Sequence, residues 1–256
     1  MAARVVAAAE LGPGDTVVEV GPGRGALTRH LAGRVGRLIL VEVDAGLAAL
    51  LRDRYDGDGS VEVMEADARR LDPAQIAGLA PREYKAVGNL PYYAATPIIR
   101  AFLESACPPR LMVAMVQREV AREIAAAPGG MGLLSIAVQL YALPRKVCDV
   151  PPRAFAPPPK VHSSVVRLDV LDRPPIDLDS TEGFFTMVRA GFSAPRKQLR
   201  NSLANGLRAL ATEVEGLLGE AGIDGTRRPA TLSIPEWGRL YRAWAARSDA
   251  SAEADE

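Results

Sequence analysis

Several residue types and segments are scarce in this 256-residue sequence, and each scarcity excludes a class of protein. The two cysteines, Cys107 and Cys148, have no metal-ligand spacing, so we expect free thiols, no metal site and a reducing, cytoplasmic setting. The two histidines, His30 and His162, have no partner motif, so we expect both to be structural and no Ser–His–Asp apparatus. No apolar run approaches the roughly 20 residues of a membrane span, and the first residues lack the features of a signal peptide.

The formal net charge is zero, which argues against a generally basic nucleic-acid binder. A local basic segment nevertheless contains no acidic residue: Arg189, Arg196, Lys197, Arg200 and Arg208. This segment is either a solvated helix face or a surface that binds nucleic-acid phosphates. Acidic residues are concentrated elsewhere, including the tail Ser248–Glu256, whose composition predicts disorder.

Short apolar segments alternate with segments of helical pattern through most of the chain. This alternation predicts an α/β fold with a doubly wound, parallel sheet. The predicted strands are Thr16–Val20, Arg37–Val43, Val61–Glu65, Lys85–Gly88, Leu111–Gln117, Arg145–Val150 and Ser164–Val170. The predicted helices are Ala2–Glu10, Ala26–Ala32, Ala45–Arg54, Thr96–Ser105, Arg118–Ala127 and Leu133–Tyr141.

Prolines mark two connections later in the chain. Val150–Val161 is too rich in proline for a helix or a central strand, and Arg173-Pro174-Pro175 is typical of a linker between domains. From about residue 181 the pattern is helical only, and a capping box precedes the last helix, with Ser233 and Glu236 as its two members. We therefore predict a sheet-containing domain over residues 1–175, a small helical domain over 176–247 and a disordered acidic tail over 248–256.

A glycine-rich loop follows the first predicted strand, in the form Glu19-x-Gly21-x-Gly23-x-Gly25. Glycines let the backbone turn sharply and let a ligand approach closely, although a tight turn without a ligand has the same composition. The spacing differs from the dinucleotide fingerprint G-x-G-x-x-G, in which a pyrophosphate lies on a helix N-terminus. Glu19 would repel a diphosphate but tolerate a cationic ligand without phosphate, such as S-adenosylmethionine.

Three further polar residues follow predicted strands: Glu42, Asp67 and Asn89. The carboxyl ends of strands in an open α/β sheet meet at one crevice. There, Glu42 can accept hydrogen bonds from ribose hydroxyls, and Asp67 can accept one from the amine of an adenine. Taken alone, each residue has an ordinary alternative: a solvated charge for Glu42, a helix N-cap for Asp67 and a turn around Asn89. Their common position at strand ends favours a functional crevice.

Other motifs agree in kind and order with one family. They are Gly88-Asn89-Leu90-Pro91-Tyr92 with Thr96-Pro97, Gln117-Arg118-Glu119-Val120, Val150-Pro151-Pro152, Phe155-x-Pro157-x-Pro159-Lys160-Val161, Phe192-Ser193 with Arg196-Lys197-x-Leu199-Arg200-Asn201-Ser202-Leu203, and Arg227-Arg228-Pro229 through Leu232-Ser233. Together with the glycine loop they resemble the Rossmann-like class I S-adenosylmethionine-dependent methyltransferases, and more closely the ribosomal RNA adenine N6-dimethyltransferases of the KsgA type. The resemblance spans Ala3 to Trp244, and its last motifs lie in a helical region that other methyltransferases lack.

The resemblance implies roles for individual residues. The implied contacts to S-adenosylmethionine come from Glu19, Gly21, Gly23, Glu42, Asp67, Ala68 and Asn89. The implied catalytic residues are Asn89, Leu90, Pro91, Tyr92 and Phe155. Asn89 and the Leu90 or Pro91 carbonyl would accept the N6 hydrogens of the target adenine, so that the freed lone pair attacks the methyl group. Tyr92 and Phe155 would stack on the base, and Arg189, Arg196, Lys197 and Arg200 would hold rRNA phosphates.

The implied reaction is the dimethylation of two adjacent adenosines near the 3′ end of 16S rRNA in the small ribosomal subunit, by a monomeric enzyme. The alternatives are the related 23S rRNA methyltransferase of macrolide resistance, a non-catalytic rRNA-binding assembly factor and, least favoured, a nicotinamide dehydrogenase. Leu90 and the Phe155-x-Pro-x-Pro-Lys motif favour the first reading over the 23S enzyme. Family members begin with a longer basic segment that contains Gln-x-Phe-Leu and lies over the cofactor. This sequence starts after that segment, so we expect a misassigned start or a truncation.

Overall fold

The computed structural model describes residues 2–76, 78–155 and 158–254. The chain forms two compact units: a sheet unit, Met1–Ala125 with Tyr141–Asp172, and a helical unit, Ala126–Leu140 with Arg173–Glu256. The boundary between Asp172 and Arg173 lies near the domain boundary predicted after residue 175. The segment Ala126–Leu140, however, belongs to the helical unit. In that unit the N–H groups of Gly129 and Met131 donate to the Ala230 carbonyl at 2.7 and 3.3 Å.

Seven strands of the sheet unit form one sheet. They are β1 (Thr16–Val20), β2 (Arg37–Glu42), β3 (Val61–Glu65), β4 (Tyr84–Asn89), β5 (Leu111–Gln117), β6 (Ala142–Val150) and β7 (Ser163–Val170). Their order across the sheet is β3-β2-β1-β4-β5-β7-β6. The strand order reverses between β1 and β4, which is the point where open α/β sheets bind ligands.

The direction of one strand, β7, differs from the prediction. Strands β1 to β5 are parallel, but β7 is antiparallel to both β5 and β6, so the sheet is mixed. A parallel pair needs a crossover, usually a helix, whereas antiparallel strands can be joined directly. In its described part, the proline-rich connection after β6 forms a short 3₁₀ turn, Pro152–Ala154, and the chain then returns alongside β6 as β7.

The central strands form the core of this unit because most of their residues are apolar. In β2, β4 and β5 nearly every residue is buried, as expected for strands covered on both faces. The edge strands β3 and β6 are only partly buried. The helices of this unit are α1 (Ala2–Ala9), α2 (Ala45–Arg54), α3 (Ala95–Leu103) and α4 (Arg118–Ile124).

The helix predicted over Ala26–Ala32 is not formed. Its place is taken by a 3₁₀ turn, Thr28–His30, with hydrogen bonds from the His30 N–H to the Leu27 carbonyl and from the Leu31 N–H to the Thr28 carbonyl. Left-handed Gly25 and Gly33 bracket this segment, so the backbone leaves the helical conformation at both ends.

The helical unit contains α5 (Leu133–Gln139), α6 (Thr181–Gly191), α7 (Leu199–Leu207), α8 (Ala211–Ala221) and α9 (Ile234–Ala254). Its core is aromatic: Trp237 is fully buried and stacks on Phe192 with a centroid distance of 5.7 Å. The predicted capping box is present, since the Glu236 carboxylate accepts from the Ser233 N–H at 2.7 Å. Helix α9 extends to Ala254, where a disordered tail is predicted, and the last two residues of that tail lie outside the described residues. None of the described helices has the length and apolar character needed to cross a membrane.

Candidate active site

The glycine loop after β1 turns sharply at three left-handed residues. Gly21, Gly23 and Gly25 have φ angles of +67°, +57° and +79°, which residues with a Cβ rarely adopt. The Gly21 N–H donates to the Val41 carbonyl at 2.9 Å, and a Cβ on Gly21 would lie 3.8 Å from the Asn89 carbonyl oxygen. The loop therefore brings bare backbone to the crevice between β1 and β4.

Glu42, at the end of β2, holds this loop from the neighbouring strand. Its Oε2 accepts from the Gly23 N–H at 2.9 Å, and its Oε1 accepts from the N–H groups of Val43 and Asp44 at 2.9 and 3.0 Å. Glu42 is 5% exposed, and what is exposed faces the crevice. Because a carboxylate has about four acceptor sites, Glu42 keeps capacity for a further donor such as a hydroxyl group.

Glu19 lies in the interior beneath the glycine loop and is 1% exposed. Burial raises the pKa of its carboxyl to about 8, and the charge of Glu42 also raises it. Within the described residues, Glu19 Oε2 has no hydrogen-bond partner. The sequence predicts a Glu19 charge beside the ligand, whereas in this structure the carboxyl is buried beneath the loop.

Asp67 follows β3, and its carboxylate is bound by Arg69. Oδ1 accepts from the Arg69 N–H and Nε at 3.0 Å each, while Oδ2 accepts from Nε at 3.0 Å and from Nη2 at 2.6 Å. Hydrogen bonds to the guanidinium lower the pKa of Asp67 to about 2. The guanidinium carbon also lies 6.0 Å from the centroid of the Tyr93 ring. An adenine amine would therefore have to compete with Arg69 for Asp67, a conflict that the sequence pattern does not indicate.

The segment after β4 forms the opposite wall of the crevice. Leu90 is buried, and its N–H donates to the Met115 carbonyl of β5 at 3.1 Å. The Pro91 carbonyl accepts from the Ala94 N–H at 2.9 Å. No hydrogen bond to the Leu90 carbonyl is found in the described part of the chain, and the Asn89 side chain is exposed. Of the two predicted carbonyl acceptors, the Leu90 carbonyl is thus the one with no competing donor.

Two aromatic residues that lie outside the strands face the same cleft. The Tyr92 hydroxyl shares a hydrogen bond of 2.8 Å with the hydroxyl of Ser163, a fully buried residue at the start of β7. Phe155, in the connection between β6 and β7, is half-buried. The structure therefore brings both predicted aromatic residues together, and it adds Ser163, which sequence patterns do not single out because a buried serine in a strand has no distinctive signature.

Two adjoining cavities occupy the crevice of the sheet unit. The larger, of about 440 Å³, is lined by the glycine loop and Glu42 on one side and by Asn89, Tyr92 and Phe155 on the other. The smaller, of about 90 Å³, is lined by Asp67, Ala68 and Arg69 and shares Gly21, Glu42 and Tyr93 with the larger. Every predicted cofactor or catalytic residue except Glu19 thus lines one of the two cavities.

The four predicted RNA-binding residues lie in the helical unit, around the turn between α6 and α7. All four are exposed: Arg189, Arg196, Lys197 and Arg200. Arg189 donates to Thr186 Oγ1 at 3.0 Å, and Arg200 donates to Gln198 Oε1 at 3.1 Å. Among the described residues none of the four forms an ion pair, so their charges are available to a polyanion.

Comparison with known proteins identifies the family. The family described as "Ribosomal RNA adenine dimethylase" matches residues 1–239. A "Ribosomal RNA small subunit methyltransferase A" from Dehalococcoides mccartyi (strain CBDB1) is 43% identical over 242 residues, which are 94% of this chain and 83% of that protein. A protein of the same name from Alkaliphilus oremlandii (strain OhILAs) is 39% identical over 241 residues, with coverages of 92% and 84%.

Two solved structures are also similar. The 23S rRNA methyltransferase ErmE is 30% identical with a TM-score of 0.73, and the match covers 94% of this chain and 96% of that one. A dimethyladenosine transferase from Plasmodium falciparum is 23% identical with a TM-score of 0.81 and coverages of 96% and 96%, a likeness of fold. Since the matches extend over nearly the whole length, the chain belongs to the ribosomal RNA adenine dimethylase family.

Proposed function

We propose that this protein transfers methyl groups from S-adenosylmethionine to N6 of two adjacent adenosines near the 3′ end of 16S rRNA. The family supplies the enzyme class, an rRNA adenine dimethyltransferase that uses this cofactor. The observation that carries the assignment of individual residues is the shared cleft. Glu42 and the glycine loop line one side of it, and Asn89, Tyr92 and Phe155 line the other. A cofactor and a base held on these two sides would face each other, as direct methyl transfer requires.

The residues around the glycine loop fit S-adenosylmethionine. Gly21 and Gly23 present backbone without Cβ atoms, where the amino-acid part of the cofactor would lie. Glu42 has acceptor capacity for a ribose hydroxyl, and Asp67 and Ala68 line the small cavity that would take the edge of the adenine ring. When bound, the cofactor supplies a methyl group on a positively charged sulfur. The buried Glu19 would support the loop from below, without touching the ligand.

The target adenine would be held by the opposite wall, after it has left any base stack. The side-chain oxygen of Asn89 and the Leu90 carbonyl would accept the two N6 hydrogens. These bonds draw the nitrogen from planar toward tetrahedral geometry and free its lone pair. The bound cofactor would supply the methyl group to this lone pair, while Asn89 and the Leu90 carbonyl would hold the amine as one N6 proton leaves to water. Tyr92 and Phe155 would stack on the base, each stack contributing roughly 1–3 kcal/mol.

The small subunit is favoured as the target by the names of the relatives. Proteins that are 39% and 43% identical to this chain are called small subunit methyltransferases, whereas the structure named for 23S rRNA is 30% identical. The exposed cations of the helical unit, from Arg189 to Arg200, would bind phosphates of this RNA. We further propose that the protein acts as a monomer in the cytoplasm.

Methylation of isolated ribosomal subunits from a strain that lacks the modification tests this assignment. Labelled methyl groups should enter the small subunit alone, at two adjacent adenosines. Label in large-subunit RNA would instead support the specificity named for ErmE. If the full natural protein failed to bind S-adenosylmethionine in calorimetry, a non-catalytic role in subunit assembly would replace the proposal.

A further inference from the structure

Tyr92 is tied to a residue outside the set of proposed site residues. Its hydroxyl shares a 2.8 Å hydrogen bond with Ser163 Oγ, and the two residues are 71 positions apart in the chain. We propose that Ser163 is a positioning residue whose hydroxyl fixes the tilt of the Tyr92 ring for stacking on the target adenine. This inference rests on the proposed function, in which Tyr92 contacts the base.

Ser163 provides a fixed reference point because its backbone is held on several sides. It is paired with Gln117 of β5 and with Val150 of β6, so its strand has neighbours along both edges. The preceding carbonyl, of His162, accepts from the Arg118 N–H at 3.0 Å. Ser163 is also fully buried, so solvent has little access to its hydroxyl.

Tyr92, in contrast, lies on a segment with few restraints. The flanking hydrogen bonds are those of the Leu90 and Ala94 N–H groups, and within the described residues no backbone hydrogen bond of Tyr92 itself is found. The next residue, Tyr93, is 78% exposed. A tyrosine ring turns about two side-chain torsions. A hydrogen bond at the hydroxyl fixes the far end of the ring and so restrains the first torsion, which sets the direction of the ring axis. The contact with Ser163 therefore sets the tilt of the ring axis.

Two substitutions remove this hydrogen bond from opposite ends while leaving the ring in place, Ser163→Ala and Tyr92→Phe. Each should lower the single-turnover rate of methyl transfer to small subunits from a methylation-deficient strain by about 2- to 10-fold, the range that one hydrogen bond supplies. The double variant should be no slower than the slower single variant, because both changes delete the same interaction. The Kd for S-adenosylmethionine, measured by calorimetry, should not change in any of the three.

Ser164→Ala is the matched control. Ser164 is as buried as its neighbour, but it points to the other face of β7 and donates to Asp149 Oδ1 at 2.6 Å. Its loss should lower the thermal midpoint and leave the methyl-transfer rate unchanged. A slower rate in Ser164→Ala, matching that of Ser163→Ala, would reduce the Ser163 effect to general destabilisation and overturn the inference.

Two further outcomes would also overturn it. One is a wild-type rate in Ser163→Ala, or in Tyr92→Phe should the serine variant fail to fold. The other is a double variant whose rate loss is the product of the two single losses. A wild-type protein that neither binds the cofactor nor methylates either subunit would contradict the proposed function instead.

Discussion

The two walls of the cleft are held in different ways. The wall formed by the glycine loop and Glu42 depends on the path of the backbone: one carboxylate accepts from three N–H groups, and three glycines are left-handed. The wall from Asn89 to Tyr93 presents side chains on a short segment beyond β4, where hydrogen bonds from the Leu90 and Ala94 N–H groups and one bond between hydroxyls are found. Changes in the first wall should alter cofactor affinity and stability together, whereas changes in the second should alter turnover alone.

The largest expected effect comes from Asn89→Ala in the wall from Asn89 to Tyr93, which would hold the target adenine. Loss of the amide removes an acceptor that acts on the reacting nitrogen, so methyl transfer should fall by about 100- to 1000-fold. The thermal midpoint should stay near that of the wild type, because the Asn89 side chain is exposed. Turnover can be measured with labelled cofactor and small subunits. A wild-type rate would contradict a catalytic role for Asn89. A variant that fails to fold would contradict the expectation that the Asn89 side chain contributes to turnover and not to stability.

In the wall formed by the glycine loop and Glu42, which would hold the cofactor, Glu42→Ala should raise the Kd for S-adenosylmethionine by about 100-fold. It should lower the thermal midpoint as well. It leaves three N–H groups without their acceptor, and each such group costs roughly 1–3 kcal/mol when water cannot replace the bond. The Kd and the thermal midpoint of Glu42→Gln, which keeps one acceptor oxygen, should lie between those of the wild type and those of Glu42→Ala. Glu62→Ala is the control, since this exposed carboxylate pairs with Arg37 outside the cleft. Unchanged affinity in Glu42→Ala would contradict the assignment.

The buried carboxyl of Glu19 predicts that the stability difference between Glu19→Gln and the wild type depends on pH. The folded pKa of Glu19, about 8, is above its ordinary value of 4.5, so between these values the unfolded chain releases the proton and the folded protein retains it. The folded state therefore loses stability as pH rises through this window. Glu19→Gln is neutral throughout, so its thermal midpoint should gain on the wild type by several degrees between pH 5 and pH 8. Calorimetry at several pH values measures this.

The control for that series is Glu62→Gln. Hydrogen bonds from Arg37 lower the pKa of the exposed Glu62, so its titration lies below the window. Its difference from the wild type should therefore stay constant from pH 5 to pH 8. A constant difference for Glu19→Gln as well would mean that Glu19 is ionised in the folded protein.

The smallest expected effect concerns Arg69, which lies where the two walls meet. Arg69→Ala removes the guanidinium from Asp67 and keeps the hydrogen bond from the backbone N–H of residue 69. Cofactor affinity should therefore increase by about 2- to 5-fold, the scale of an exposed ion pair. Arg70→Ala, at the neighbouring exposed arginine, should change affinity less. Calorimetry with S-adenosylmethionine distinguishes the two variants. Weaker binding in Arg69→Ala would indicate that the guanidinium contacts the cofactor directly.

Local sequence patterns predict the elements well where burial is continuous. The bounds of β1, β3 and β5 match the prediction because short apolar runs between turn residues leave few alternatives. The direction of β7 could not be predicted, because pairing depends on the partner strand rather than on the strand itself. The place of Ala126–Leu140 was missed for a similar reason: its bonds to Ala230 join residues that are far apart in the chain.

The candidate site likewise combines residues whose positions the sequence predicts with contacts that it does not predict. Glu42, Asp67 and Asn89 could be placed at one crevice because the carboxyl ends of parallel strands meet there. The burial of Glu19 and the hold of Arg69 on Asp67 depend on which way a side chain turns, and a sequence motif does not specify this. The contact of Ser163 with Tyr92 crosses from one strand end to another and has no local signal.

The hydrogen bond between the hydroxyls of Tyr92 and Ser163 also has a consequence for how the sequence evolves. If a lineage replaces Tyr92 by phenylalanine, the serine at position 163 loses its partner, and selection on its hydroxyl is relaxed. The reverse substitution, at position 163, should be tolerated best where position 92 has already lost its hydroxyl. Across descendants of a common ancestor, positions 92 and 163 should therefore change as a pair, although neither is close to the other in the chain.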